Sequence, residues 1–206
     1  MAKGVGYLVE LNELHSRQFV AEKEKRKHYR ELYPTEFLWH KCMDGRLNAA
    51  MWTKTPFGIF YPMRNLGGDF SLGWVGLQDA VRGWYEYAKS RHRRCLVVTT
   101  DHFSKGDTHR GCAGVNYDRA TALAVASRLK DQYERVFVKE YGADQFNVIR
   151  ISLETDDEAL ILHGSNGMQL NLAEVTDSSD TALQAKLLKL YPDLRDNLVS
   201  ALRNEL

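Results

Sequence analysis

Cys95-Leu96-Val97-Val98-Thr99-Thr100 is an unbroken apolar and β-branched run, the pattern of a strand buried on both faces. Just before it, Leu77, Val81, Trp84, Tyr85 and Ala88 recur at helical spacing through residues 77–89. Upstream of that helix, residues 36–41 and 58–63 are short aromatic and apolar stretches that read as two further buried strands. Downstream, Asp118 is placed to cap a long helix running to about Glu140. Its Leu123, Ala126, Leu129, Tyr133, Val136 and Phe137 form one stripe, and Gly142 supplies the stop. Strands follow at residues 148–153 and 159–162, with a third after the turn at residues 164–167. Strands alternating with helices predict an α/β fold, a central and mainly parallel sheet flanked by helices. In such sheets ligands sit beyond the carboxyl ends of the strands.

The two ends of the chain read as helical extensions. Residues 12–32 hold Leu14, Phe19, Val20 and Tyr29 among charged residues and stop before Pro34. The basic residues there, Lys23, Lys25, Arg26, Lys27 and Arg30, alternate with Glu22 and Glu24, as on a solvated helix face. Residues 181–206 read as two helices divided at Pro192. The expected organisation is an N-terminal helical extension over 1–35, an α/β domain over 36–175 and a C-terminal helical segment over 176–206.

Composition narrows the function classes. The 206 residues carry 28 Lys plus Arg against 27 Asp plus Glu, a net charge of +1, so the chain lacks the positive field that nucleic-acid binding needs. Neither an apolar stretch of membrane-spanning length nor a secretory signal is read, and the expectation is a cytoplasmic protein with no membrane partner. Three cysteines, Cys42, Cys95 and Cys112, are too few and too scattered for a disulfide framework in a chain of this size. Their thiols are free for other chemistry.

Three segments at predicted strand ends hold the reactive side chains: Cys42-Met43-Asp44-Gly45-Arg46, Arg64-Asn65-Leu66-Gly67-Gly68, and His102 through His109-Arg110-Gly111-Cys112. If they converge, two thiolates and one imidazole give a three-donor zinc site whose fourth position is open to water, and the metal lowers that water's pKa toward neutrality. His40 is the available fourth donor for a closed site and is expected to face away. The histidine has two readings. His109 lies three residues before Cys112, a spacing a short loop can use; His102 stands at the strand end, where the sheet would hold it better. Asp44 and Arg46, two apart in an extended loop, can form a bidentate pair. Beside a metal, the arginine keeps the carboxylate ionised so that it accepts the proton of a nucleophile and orients its lone pair.

Cys-x-Asp-x-Arg at 42–46, then Arg64-Asn65-Leu66-Gly67, then a histidine and Gly111-Cys112 after a strand, resembles the β-class carbonic anhydrases and their divergent relatives. The likeness covers about residues 37–114, and more loosely the chain to 175. It implies that Cys42, Cys112 and one histidine bind Zn2+, with cadmium or cobalt as possible substitutes. It also implies that Asp44 and Arg46 form the gating and orienting pair and that Arg64, Asn65 and Gly67 brace the site. The implied reaction is reversible hydration of carbon dioxide to bicarbonate through attack by metal-bound hydroxide, in a homodimer or higher homo-oligomer. Glycine at position 45 and the long histidine-to-cysteine spacing look more like the zeta-class and carboxysomal shell enzymes. There the strand-end histidine is the ligand, which favours His102. Residues 103–111 would then cover the site or select another electrophile, carbon disulfide or carbonyl sulfide. In relatives Asp44 can itself take the fourth metal position when its arginine lets go. A catalytically silent zinc-binding homologue with an interaction role is the remaining alternative.

Other reactive residues read as structural. Cys95 sits inside an apolar strand as an inert thiol, His163 flanks a turn, and His15, His28 and His92 lie in charged surface segments. Gly67-Gly68-Asp69 lacks the lysine and spacing of a phosphate loop. Gly164-Ser165-Asn166-Gly167 is a turn without the strand-to-helix nucleophile elbow. Asp69 and Asp107 read as turn carboxylates.

Overall fold

The strand that contains Cys95 is longer than its apolar run. In the computed structural model, which describes residues 5–176 and 179–192, it spans Arg94–Phe103 and so carries Asp101 and His102 within the sheet. In chain order the elements are α1 (Val5–Ala21), α2 (Lys23–Leu32), β1 (Thr35–Cys42), the single turn α3 (Ala49–Trp52), β2 (Phe60–Asn65), α4 (Val75–Lys89) and β3 (Arg94–Phe103). Then come α5 (Arg119–Tyr133), a π-helical stretch at Glu134–Val138, α6 (Lys139–Tyr141), β4 (Phe146–Glu154), β5 (Ala159–His163), β6 (Gln169–Asn171) and α7 (Asp180–Leu190).

The six strands form one sheet in the order β2-β1-β3-β4-β5-β6. β1 runs parallel to both β2 and β3, and β3 parallel to β4. β5 and β6 return antiparallel, as short turns require. The central parallel strands β1, β3 and β4 are buried on both sides because helices cover both faces, whereas the edge strand β2 is only half-buried. One face packs Phe37, Trp39, Leu96, Val98, Ile149 and Ile151 against Leu187, Leu190 and Tyr191 of α7 and its end. The other packs Leu38, Val97, Val148 and Phe146 against Leu77, Val81 and Trp84 of α4 and Leu129, Tyr133 and Phe137 beyond them.

Several sequence expectations are corrected at their edges. The helix expected at 12–32 is two: α1 begins at Val5, and the chain breaks at Glu22, whose ψ of 9° departs from helical geometry. The long helix after Asp118 starts as expected, with the Asp118 carboxylate accepting from the Thr121 N–H, and stops at Gly142 with φ +82°. Between them it passes through the π-helical stretch, which contains no Pro or Gly to announce it. The helix expected after Pro192 lies outside the described residues. Among the described residues no helix is long and apolar enough to cross a membrane.

Candidate active site

β1 and β3 lie side by side, with His40 in register with Thr99, so Cys42 at the end of β1 and His102 near the end of β3 reach the same carboxyl edge of the sheet. Cys112 arrives from the loop after β3, directly before a 3-10 turn at Ala113–Val115. All three side chains are buried, and one donor atom from each lies within 4.8 Å of the other two. The two sulfurs are 4.0 Å apart. Neither ring nitrogen of His102 finds a hydrogen-bond partner among the described residues, although a buried imidazole ordinarily has one. Two soft sulfurs and one imidazole with free lone pairs form a donor set suited to zinc. The residues present therefore fit the ion.

The pair of thiols is already polarised. The Cys42 thiol is pushed well below the ordinary range by the hydrogen bond from Cys112, helped by the nearby His102 imidazole and the backbone N–H groups of Asp44 and Gly67, against the opposing effect of burial. Cys112 is pushed up by the same partner and by burial. A thiolate is the form in which either sulfur would bind metal.

Asp44 and Arg46 make the bidentate pair. Arg46 donates from its backbone N–H and Nε to Asp44 Oδ1 at 2.9 and 3.0 Å, and from Nη2 to Oδ2 at 2.6 Å. These bonds, the side-chain ones first, hold the Asp44 carboxyl at about 2 against some desolvation. The same Nη2 donates to the Arg110 carbonyl at 2.7 Å, so a loop residue 64 positions away in sequence shares in fixing the guanidinium.

The end of β2 and the turn after it lie directly behind this loop. Arg64 Nη2 donates to the carbonyls of Met43 and Asp44 at 3.0 and 2.8 Å. The Met43 N–H bonds the Asn65 carbonyl, and Asn65 Nδ2 bonds the Asp69 carbonyl, at 2.8 and 2.7 Å. Gly67 and Gly68 turn with φ +80° and +68°, a conformation natural to glycine. A Cβ on Gly114 would stand 2.4 Å from the Gly67 nitrogen, so the backbones after Cys112 and after β2 touch because position 114 lacks a side chain.

His109 lies outside the donor cluster. Its side chain is 81% exposed, with Nδ1 3.5 Å from Asp107 Oδ1 and its ring against Tyr117. His40 does face away, bonding the Tyr133 hydroxyl at 2.6 Å and packing on Phe70. Strand alternation alone would put residues 40 and 42 on one side; Cys42 instead joins the opposite core at the end of its strand, where alternation no longer binds it. Cys95 is a fully buried thiol pushed up by burial. His163 is tied to Ser152, which donates to Asp101.

Three participants were not legible in the sequence: Gly114, the Arg110 carbonyl and Asp156. Gly114 stands two residues after Cys112 and could have been flagged by that position. Asp156, in the turn between β4 and β5, gives no local signal. Its Oδ2 accepts from Ser104 Oγ and the Gly106 N–H, both at 2.7 Å, and its Oδ1 meets Arg110 Nη1 at 3.1 Å. The loop between His102 and Cys112 is therefore an organised wall beside Arg46.

No family model matches the chain, and no curated protein does. Solved structures do. The β-carbonic anhydrase CcaA aligns with a TM-score of 0.53 at 12% identity, over 81% of this chain and 98% of that one. One of two tetrameric β-carbonic anhydrases from the filamentous ascomycete Sordaria macrospora aligns with a TM-score of 0.52 at 13% identity, over 81% of this chain and 100% of that one. The fold of this chain is that of the β-carbonic anhydrases.

Proposed function

We propose that the chain is a zinc-dependent carbonic anhydrase that interconverts carbon dioxide and bicarbonate. The observation that carries this reading is the buried Cys42, His102 and Cys112 cluster standing beside a carboxylate already locked by its arginine. Cys42, His102 and Cys112 would hold the zinc, His102 rather than His109 because it alone of the two lies in the cluster. The ion, when bound, supplies a Lewis acid that makes water nucleophilic at neutral pH. The chain's own residues do the rest. Arg46 keeps Asp44 ionised and out of the donor set by occupying both of its oxygens. Asp44 then offers an acceptor that orients the nucleophile toward a small linear electrophile. Arg64 holds the loop carrying Asp44 by two of its carbonyls.

Assembly with further copies of the chain is part of the same reading. The α1 helix leaves Leu8, Val9, Leu11, Leu14, Phe19 and Val20 exposed, more apolar surface than a lone helix in water carries without a partner. β2 is an edge strand of the sheet among the described residues.

The test of the reaction is stopped-flow carbon dioxide hydration on zinc-loaded and metal-stripped protein. Hydration that appears with zinc and vanishes with a chelator supports the reading. Protein holding one zinc per chain with no rate above buffer contradicts it.

A further inference from the structure

Asp156 belongs to the turn after β4, far from the metal donors in sequence, yet its carboxylate ties down the loop between His102 and Cys112. It accepts from Ser104 and Gly106 and pairs with Arg110, whose side chain is 53% exposed while that of Asp156 is 21% exposed. Glu154, buried at the end of β4, adds an anchor by accepting from the Lys105 N–H at 3.0 Å. The consequence of this clamp appears at the far end of the loop. There the Arg110 carbonyl stands 2.7 Å from Arg46 Nη2, the nitrogen that also holds Asp44 Oδ2 at 2.6 Å. A guanidinium donating in two directions is held in one rotamer; one with a single partner on a flexible stem is free to swing.

We propose that Asp156 is a positioning residue for the Arg46–Asp44 pair, acting through Arg110 and the loop it anchors. Asp156 stands outside the donor cluster. It fixes the carbonyl that fixes Arg46. When the clamp is lost, Arg46 keeps its bonds to Asp44 but loses the second direction of restraint, so the carboxylate is freed more often. The kinetic part of this proposal rests on the hydration reading of the site; the geometric part does not.

The variants are Asp156→Ala and Arg110→Ala, with Asp156→Asn as the conservative rescue and Lys105→Ala as the control. Lys105→Ala removes a surface ion pair to Asp157 on the same loop without touching Arg110. The first readout is solvent exchange of the Arg46 Nε–H, followed by nuclear magnetic resonance on the full chain loaded with zinc. Exchange accelerates about fivefold or more in Asp156→Ala and in Arg110→Ala, and stays at the wild-type rate in Lys105→Ala. Asp156→Asn keeps an acceptor for Ser104 and Gly106 but gives up the ion pair to Arg110, so it recovers only part of the protection and falls between wild type and Asp156→Ala. In an active enzyme kcat falls about tenfold in the two alanine variants, as for loss of one charge-assisted hydrogen bond, while KM stays within about twofold. Unchanged Arg46 exchange in both alanine variants overturns the proposal, and so does faster exchange with an unchanged kcat. A wild-type protein that hydrates no carbon dioxide would sink the zinc-lyase reading while the exchange measurement still decides this one.

Discussion

Cys42 and Cys112 are separated by 70 residues in sequence, yet their sulfurs lie 4.0 Å apart with both side chains buried. Cys42 is set by the end of a sheet strand and Cys112 by a loop whose backbone presses on the turn after β2. A thiol pair of this kind, with an imidazole whose nitrogens are both unpartnered, is a set of donors directed at a common point.

Removing either sulfur should therefore remove the metal. Cys112→Ala, dialysed against zinc-free buffer and assayed by atomic absorption, is expected to retain less than about a tenth of the wild-type zinc, because two donors of a three-donor site bind weakly. Cys95→Ala, which alters an inert thiol of the core, should keep its zinc. Full zinc in Cys112→Ala would show that the donors lie elsewhere.

Gly114 should be less replaceable than Gly67, although only Gly67 has a positive φ. A methyl group at Gly114 meets the Gly67 backbone at 2.4 and 2.5 Å, whereas one at Gly67 finds its nearest neighbour at 3.4 Å. Gly114→Ala is expected to cost about 3 kcal/mol through overpacking against backbone that cannot yield, and Gly67→Ala about 1 kcal/mol through its left-handed conformation. Urea unfolding of the two variants checks the order, and equal midpoints would refute it.

Acid should destabilise the protein partly through His163. Burial first, then the charges of Arg150 and Arg119, lower its pKa from 6.5 to about 4. With the folded value below the unfolded one, the unfolded chain binds the extra proton between these limits. The contribution is present in full above pH 6.5, is lost as pH falls, and has gone below about 4. By pH 5 a buried neutral imidazole of this kind has forfeited about 2 kcal/mol. His163→Gln should show a shallower fall in unfolding midpoint between pH 7 and 5 than the wild type; parallel curves would contradict the assignment.

The exposed apolar side chains of α1 predict self-association. Light scattering at micromolar concentration should give a dimer or larger species, and Leu8→Glu with Leu11→Glu should shift it toward the monomer. A wild-type monomer under those conditions would remove the assembly from the account.

Periodicity made the alternation of strands and helices legible, because the central parallel strands are buried on both faces and the covering helices carry clear stripes. It misjudged ends for a physical reason. The apolar run of β3 ends at Thr100, yet the strand continues past His102 to Phe103, since its neighbour β4 runs on to Glu154 and Ser152 bonds the Asp101 carboxylate. The order of Cys42, Asp44, Arg46, Arg64, Asn65 and Cys112 was readable as a motif. Strand-end placement favoured His102 over His109, and of the two only His102 lies in the donor cluster. The Asp156 clamp was hidden altogether, since its partners Ser104 and Gly106 lie 52 and 50 residues away in sequence and no local pattern links them.

In the proposed reaction Asp44, held by Arg46, works beside a zinc ion on carbon dioxide, and Asp44→Asn is the variant that tests this role. Asparagine keeps the size of the side chain and removes its charge and one acceptor, leaving Cys42, His102 and Cys112 untouched. Stopped-flow hydration is measured on wild type and variant, each first shown to hold one zinc per chain, across pH 6.5 to 9. Zinc-dependent hydration is expected in the wild type, with a loss of at least about a hundredfold in the variant at unchanged zinc content. Full activity in Asp44→Asn, or a zinc-loaded wild type that hydrates no faster than buffer, would contradict it.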